Sequence, residues 1–122
     1  MPRLNVQADI RKRLADYLAP IAVCVNVPED RPQTLVVISR EGGRKLDALR
    51  DLVGLGVFAW ADSEASAYKL MERVSDYILN LKFADGYALV HEETIKSSYD
   101  IQAKSPRWYA SYTITTYKPK GI

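Results

Sequence analysis

The sequence predicts an α+β fold: a largely antiparallel β-sheet packed against one long helix and a short N-terminal helix. Three observations carry that expectation. A capped amphipathic pattern runs from Ser63 to Leu81, a shorter one runs from Val6 to Leu18, and the remaining apolar runs have strand length and turn signals at their ends. Strands in such excess over helices bury one sheet face under the helices.

The elements follow in order. Val6, Ile10, Leu14, Tyr17 and Leu18 fall on one helical face, with Asn5 placed to cap it and Arg11, Lys12, Arg13 and Asp16 on the others. Pro20 ends this helix by biasing its predecessor away from helical geometry. Residues 22–27 alternate as a half-buried strand, Val23, Val25 and Val27 on one side and Cys24 and Asn26 on the other. The run from Pro28 to Pro32 breaks it. Residues 34–40 form a second strand in which Leu35, Val36, Val37 and Ile38 are apolar on both sides, the signature of a central strand with both faces covered, one of them open to cover by a neighbouring subunit. Glu41-Gly42-Gly43-Arg44-Lys45 reads as a mobile hairpin loop, because paired glycines loosen the backbone.

Residues 46–52 admit two helix-like turns, and a third strand is expected over 54–60, leading into the long helix. There Ser63 is the expected cap, with Asp62 and Glu64 suited to the positive end of the helix dipole. Ala67, Leu70, Met71, Val74, Tyr77, Ile78 and Leu81 form its buried stripe, and Lys69, Glu72, Arg73, Asp76 and Asn80 its solvated face. Asp85-Gly86 marks the exit, and 87–92 reads as a fourth strand. Residues 96–105 are polar and ambiguous. Past Pro106, residues 108–117 alternate most clearly, with Trp108, Ala110, Tyr112 and Ile114 facing one way and Tyr109, Ser111, Thr113, Thr115 and Tyr117 the other.

A chain of 122 residues suits one domain, 1–122, burying roughly two-thirds of its unfolded surface. No repeat or linker divides it. Its net charge of +2 supplies no global basic field, although Lys104, Arg107, Lys118 and Lys120 follow Asp100 with no acidic residue among them. Cys24 is the only cysteine, which excludes an intrachain disulfide and a Cys-rich zinc cluster and is read as a small buried hydrophobe. Met1-Pro2-Arg3-Leu4 leads into no signal-peptide apolar region, and the longest apolar run, 52–61, is too short to span a bilayer. The expectation is a cytoplasmic protein with no membrane partner.

The search for chemistry finds none. His91, the only histidine, shares a strand face with Glu93, but no third metal ligand stands at motif spacing. Cys24 has only distant His91 as a base, and Gly-x-Ser-x-Gly does not occur. Gly42-Gly43-Arg44-Lys45 superficially resembles a phosphate-binding turn yet lacks both the Walker and the Rossmann spacing. No enzyme, metal or cofactor is expected. The alternative is a single-stranded nucleic-acid-binding module, since Arg107, Trp108, Tyr109, Tyr112, Tyr117, Lys118 and Lys120 interleave rings with cations. The pleat divides those rings between faces and core packing claims Trp108 and Tyr112, so nucleic acid is the weaker expectation.

The order of elements and breaks resembles that of tail-terminator (tail-completion) proteins of long-tailed bacteriophages and prophages. The resemblance rests on the N-terminal amphipathic helix, Val25-Asn26-Val27-Pro28 with Arg31-Pro32, and Leu35-Val36-Val37-Ile38-Ser39-Arg40 with the pair Gly42-Gly43. It continues through Phe58-Ala59-Trp60-Ala61, Ser63-Glu64-Ala65-Ser66-Ala67, Pro106-Arg107-Trp108 and the last alternating strand. It covers nearly the whole chain in short pieces. The resemblance implies a non-enzymatic α+β subunit that closes into a ring, typically hexameric, on the head-proximal end of the tail tube. Its implied partners are copies of itself, the tail tube protein and the head–tail connector protein; its implied location is the host bacterial cytoplasm during assembly and then the virion tail. A neighbouring head–tail connector adaptor has similar size and composition. Arg40, Gly42, Gly43, Arg44 and Lys45 are the candidate tube or subunit interface.

Overall fold

The computed structural model describes residues 4–117. Two helices and a five-stranded, mostly antiparallel sheet make an α+β fold. The elements run α1 (Val6–Leu18), β1 (Ala22–Cys24), β2 (Leu35–Lys45), β3 (Arg50–Trp60), α2 (Glu64–Leu79), a 3-10 turn (Asn80–Phe83), β4 (Tyr87–Ser97) and β5 (Arg107–Tyr117). The sheet order is β1-β2-β3-β5-β4; β1 joins β2 in parallel and all other pairs are antiparallel.

Both helices begin as their sequences dictate. Asn5 Oδ1 accepts from the Ala8 amide at 3.1 Å, and Ser63 Oγ accepts from the Ser66 amide at 3.1 Å, each satisfying an amide that has no partner within its helix. Val6, Ile10, Leu14 and Leu18 of α1 and Ala67, Leu70, Met71, Val74 and Ile78 of α2 are buried on the same sheet face. Val36 and Ile38, Val53, Leu55 and Val57, and Ala110, Tyr112 and Ile114 rise from the strands to meet them. Tyr17, expected on the buried stripe, is 47% exposed and lies on Tyr77 with ring centroids 4.7 Å apart. Tyr87 ties α1 to the start of β4 by donating its hydroxyl to Asp9 at 2.6 Å.

The structure corrects several expectations. β1 stops at Cys24, leaving Val25 and Val27 38% and 51% exposed. Its next rung is taken by α1, whose Gln7 amide donates to the Ile38 carbonyl at 2.8 Å. Cys24 is only half-buried. Leu35–Ile38 is indeed covered on both faces, but within the chain: Val36 and Ile38 face the helices, while Leu35 and Val37 pack with Trp60, Phe58, Ala22 and Cys24 on the other side.

The Glu41–Lys45 segment is not a loop. It continues β2, paired with β3 from Gly42↔Gly54 to Lys45↔Asp51 after a bulge between Arg40 and Gly42. The chain reverses at residues 46–49 instead, where Asp47 Oδ1 accepts from the amides of Leu49 and Arg50 at 2.9 and 2.8 Å. The helix-like turns read over 46–52 are therefore this tight turn and the start of β3, which begins at Arg50 rather than Gly54. β4 extends past Glu92 to Ser97, absorbing the start of the ambiguous stretch.

Candidate functional site

Arg40, Gly42, Gly43, Arg44 and Lys45 all lie on one arm, the β2–β3 extension that reverses at residues 46–49. From Arg40 to Arg50 every side chain is exposed except Leu46, which is half-buried. The glycines have a structural reason there. Gly42 and Gly43 sit at φ +123° and +124°, and a Cβ on Gly43 would stand 2.2 Å from the Leu52 carbonyl oxygen. The bulge swings Glu41 over Gly56, where a Cβ would meet its carboxylate at 2.4 Å, and Tyr109 donates its hydroxyl to that carboxylate. Burial and the Glu41 charge together push the Tyr109 hydroxyl up to about 12. Arg40 Nε donates to the Gly42 carbonyl at 2.8 Å. The arm is thus ordered by backbone pairing, by Glu41 and, on its β3 side only, by buried Val53 and Leu55.

Opposite the helices the sheet presents a second feature that sequence reasoning missed. Phe58 lies 4.9 Å from Tyr109 and 6.0 Å from Trp60, centroid to centroid. The Arg107 guanidinium sits 5.1 Å from the Phe58 ring and 5.6 Å from Trp60, Arg31 sits 5.4 Å from Trp60, and Lys96 5.9 Å from Tyr109. Of these, Phe58, Trp60, Arg31 and Arg107 line, with Val37, a groove of about 540 Å³, and Tyr109 stands beside it against Phe58. Trp60 Nε1 donates to Asp100 at 2.9 Å, which holds that carboxyl below its ordinary value, helped by the Ala103 amide and Arg107. Arg107 Nε donates to the Ser98 carbonyl at 2.7 Å, fixing the β4–β5 connection over the groove. The signal lay in the pairing Phe58↔Tyr109, which puts alternate rings of two strands on one face and cannot be read from either strand alone.

The rings named for nucleic acid divide by the pleat. Tyr112 is 1% exposed in the core, with its hydroxyl donating to Glu92 at 2.9 Å. Trp108 packs against the core and Tyr68, and its Nε1 donates to Glu64 at 2.9 Å. Lys118 and Lys120 lie outside the described residues.

His91 is exposed on β4, its Nε2 3.7 Å from Glu93. Cys24 belongs to β1 at the opposite side of the sheet, about 19 Å away by strand spacing, so the two do not form a nucleophile–base pair. Among the described residues, no group of three or more His, Cys, Asp or Glu is placed to hold a metal ion, and no helix is long and apolar enough to cross a membrane. No protein-family model matches the chain, and no curated protein matches it.

Proposed function

We propose that the chain is a structural tail-terminator protein: copies close into a ring, hexameric as the resemblance implies, that caps a phage or prophage tail tube and provides the head-joining surface. The reading involves no catalytic step and no cofactor. The observation that supports it most is the arm. From Arg40 to Arg50 the arm carries exposed side chains except half-buried Leu46, while its returning strand is anchored in the core through Val53 and Leu55, so the β2 side and the tip gain little from packing of their own. An arm of this kind is a contact element, and Arg40, Arg44 and Lys45 give it a cationic character suited to an acidic neighbour. Assembly begins in the host cytoplasm, and the ring ends at the head-proximal end of the tail.

The test is complementation of a phage lacking the gene. Electron micrographs of the deletion lysate are expected to show overlong tails and unjoined heads. The wild-type chain is expected to restore both; a version in which Lys45–Asp51 is replaced by Asn-Gly is expected to fold and restore neither. Normal tails in the deletion lysate would refute the reading. A connector adaptor would leave tail length normal and abolish only joining.

The groove favours a second reading, a module for single-stranded nucleic acid, because Phe58, Trp60 and Tyr109 share a face with Arg31, Lys96 and Arg107. Trp60 is only 3% exposed and the guanidinium groups already lie over the rings, which leaves little face for a base. Micromolar binding to single strands that weakens steeply with salt and is lost in Tyr109→Ala would select this reading.

A further inference from the structure

We infer that the outer edge of the β2 arm pairs, antiparallel, with the outer edge of β4 on a second copy of this chain, so that the sheet continues from subunit to subunit. The inference deepens the ring reading and rests on it for its biological setting. The geometry stands independently.

The sheet has two unfinished edges, on opposite sides. β1 covers β2 only from Leu35 to Val37, and Gln7 takes the Ile38 carbonyl; from Arg40 to Lys45 no strand lies beside β2 on the side away from β3 among the described residues. β4 pairs only with β5, so its other edge also has no strand beside it among the described residues. Rows of unpaired backbone groups are templates for another strand. Two different edges on opposite sides make the contact heterologous, the kind that closes rings.

Direction, length and charge agree. β2 and β5 run one way and β3 and β4 the other, so copies related by rotation about an axis along the strands bring an up-running β2 against a down-running β4. The antiparallel alternation then continues unbroken across the joint. Arg40–Lys45 offers about 20 Å of edge, matched by the middle of β4. The β2 edge from Arg40 to Lys45 contributes Arg40, Arg44 and Lys45 against one carboxylate, Glu41, whereas β4 contributes Glu92 and Glu93 against one lysine, Lys96. Arg44 pairs with Leu52, which pairs with Thr115; Glu93 accepts from Thr113 on that same sheet face. In a continued sheet the Arg44 and Glu93 side chains therefore emerge on one side, as complementary cross-strand neighbours must. Leu89, 66% exposed on β4, gains cover in the same contact. Bulges in both edges, at Arg40/Gly42 and Glu92/Thr94, curve them and limit pairing to a partner of matching curvature.

The test uses the full chain in a Cys24→Ser background. Arg44→Cys and Glu93→Cys proteins are mixed under mild oxidation, together with a His91→Cys protein to allow for register. Disulfide-linked heterodimers, with far less crosslinking in either protein alone, are expected, since cross-strand Cβ atoms about 4.5–5.5 Å apart admit the bond. Homodimers of Arg44→Cys as abundant as the mixed product would show a symmetric contact and overturn the proposal. In sedimentation velocity, Arg44→Glu and Glu93→Arg are each expected to weaken self-association at least about tenfold, and the double reversal to restore it. No change in either single variant, with no mixed disulfide, would overturn it. The outcomes separate the two claims. Mixed disulfides from a protein whose loss leaves phage tails normal would keep the pairing and remove the tail-capping reading. Absence of a mixed disulfide from the cysteine pair, with charge-reversed chains that still cap tails, would do the reverse.

Discussion

Tyr112→Ala is expected to destabilise the fold by about 3–5 kcal/mol, the range for truncating a large buried aromatic. The side chain is 1% exposed and packed among the buried residues of both helices and the sheet, so the cavity it leaves cannot drain to solvent. Little of the cost is the hydroxyl. Tyr112 donates to Glu92, but Glu92 also accepts from Ser75 and is itself half-exposed, so Tyr112→Phe is expected to cost only about 1 kcal/mol. The rest is packing. Tyr109 lies on the other sheet face, half-buried against Phe58, and Tyr109→Ala is expected to cost about 1–2 kcal/mol, through lost ring contact and a released Glu41. Urea unfolding followed by circular dichroism reads all three, and at about 4 °C per kcal/mol for a chain of this size the Tyr112→Ala midpoint falls by about 12–20 °C on heating. A Tyr112→Ala cost below about 1.5 kcal/mol, or a larger cost for Tyr109→Ala, would refute the assignment of helix-facing and open sheet faces.

The remaining predictions concern the arm, the groove and the caps. Gly43→Ala is expected to speed amide exchange from Arg44 to Asp51 while leaving core exchange unchanged, and to do so more than Gly42→Ala, because only at Gly43 does the new Cβ meet a carbonyl. Asp100, held below its ordinary value of about 3.9 chiefly by the Trp60 indole, contributes stability that is present above that value and lost as pH falls through its folded value; Asp100→Asn is expected to flatten the acid limb of a tryptophan-fluorescence pH titration. Tyr87 and Tyr112 are raised by burial, so their contribution is whole below the unfolded tyrosine value of about 10 and falls as pH rises above it, seen as a declining urea midpoint in alkaline buffer. Ser63→Ala is expected to cost about 1 kcal/mol in the same urea assay through loss of the α2 cap.

Local patterns in the chain placed the elements. Helical spacing and the Asn5 and Ser63 caps placed both helices, and alternation placed the last strand and the faces of Tyr109 and Tyr112, because these features depend on neighbours a few residues away. The five arm residues stood out in the sequence only as a glycine pair beside cations.

Their conformation was decided only by tertiary structure. A glycine pair reads as a loop because left-handed backbone angles are common in turns, yet Gly42 and Gly43 adopt those angles within a paired strand, and at Gly43 the Leu52 backbone approaches too closely for a Cβ. Such a requirement belongs to the partner strand and leaves no mark at the glycines themselves. Where β1 stops depended likewise on Gln7 in another element, and the groove depended on the register that sets Phe58 beside Tyr109. Strand pairing joins residues far apart in the chain, so periodicity reveals which residues share a face while the sheet alone decides which strands share an edge.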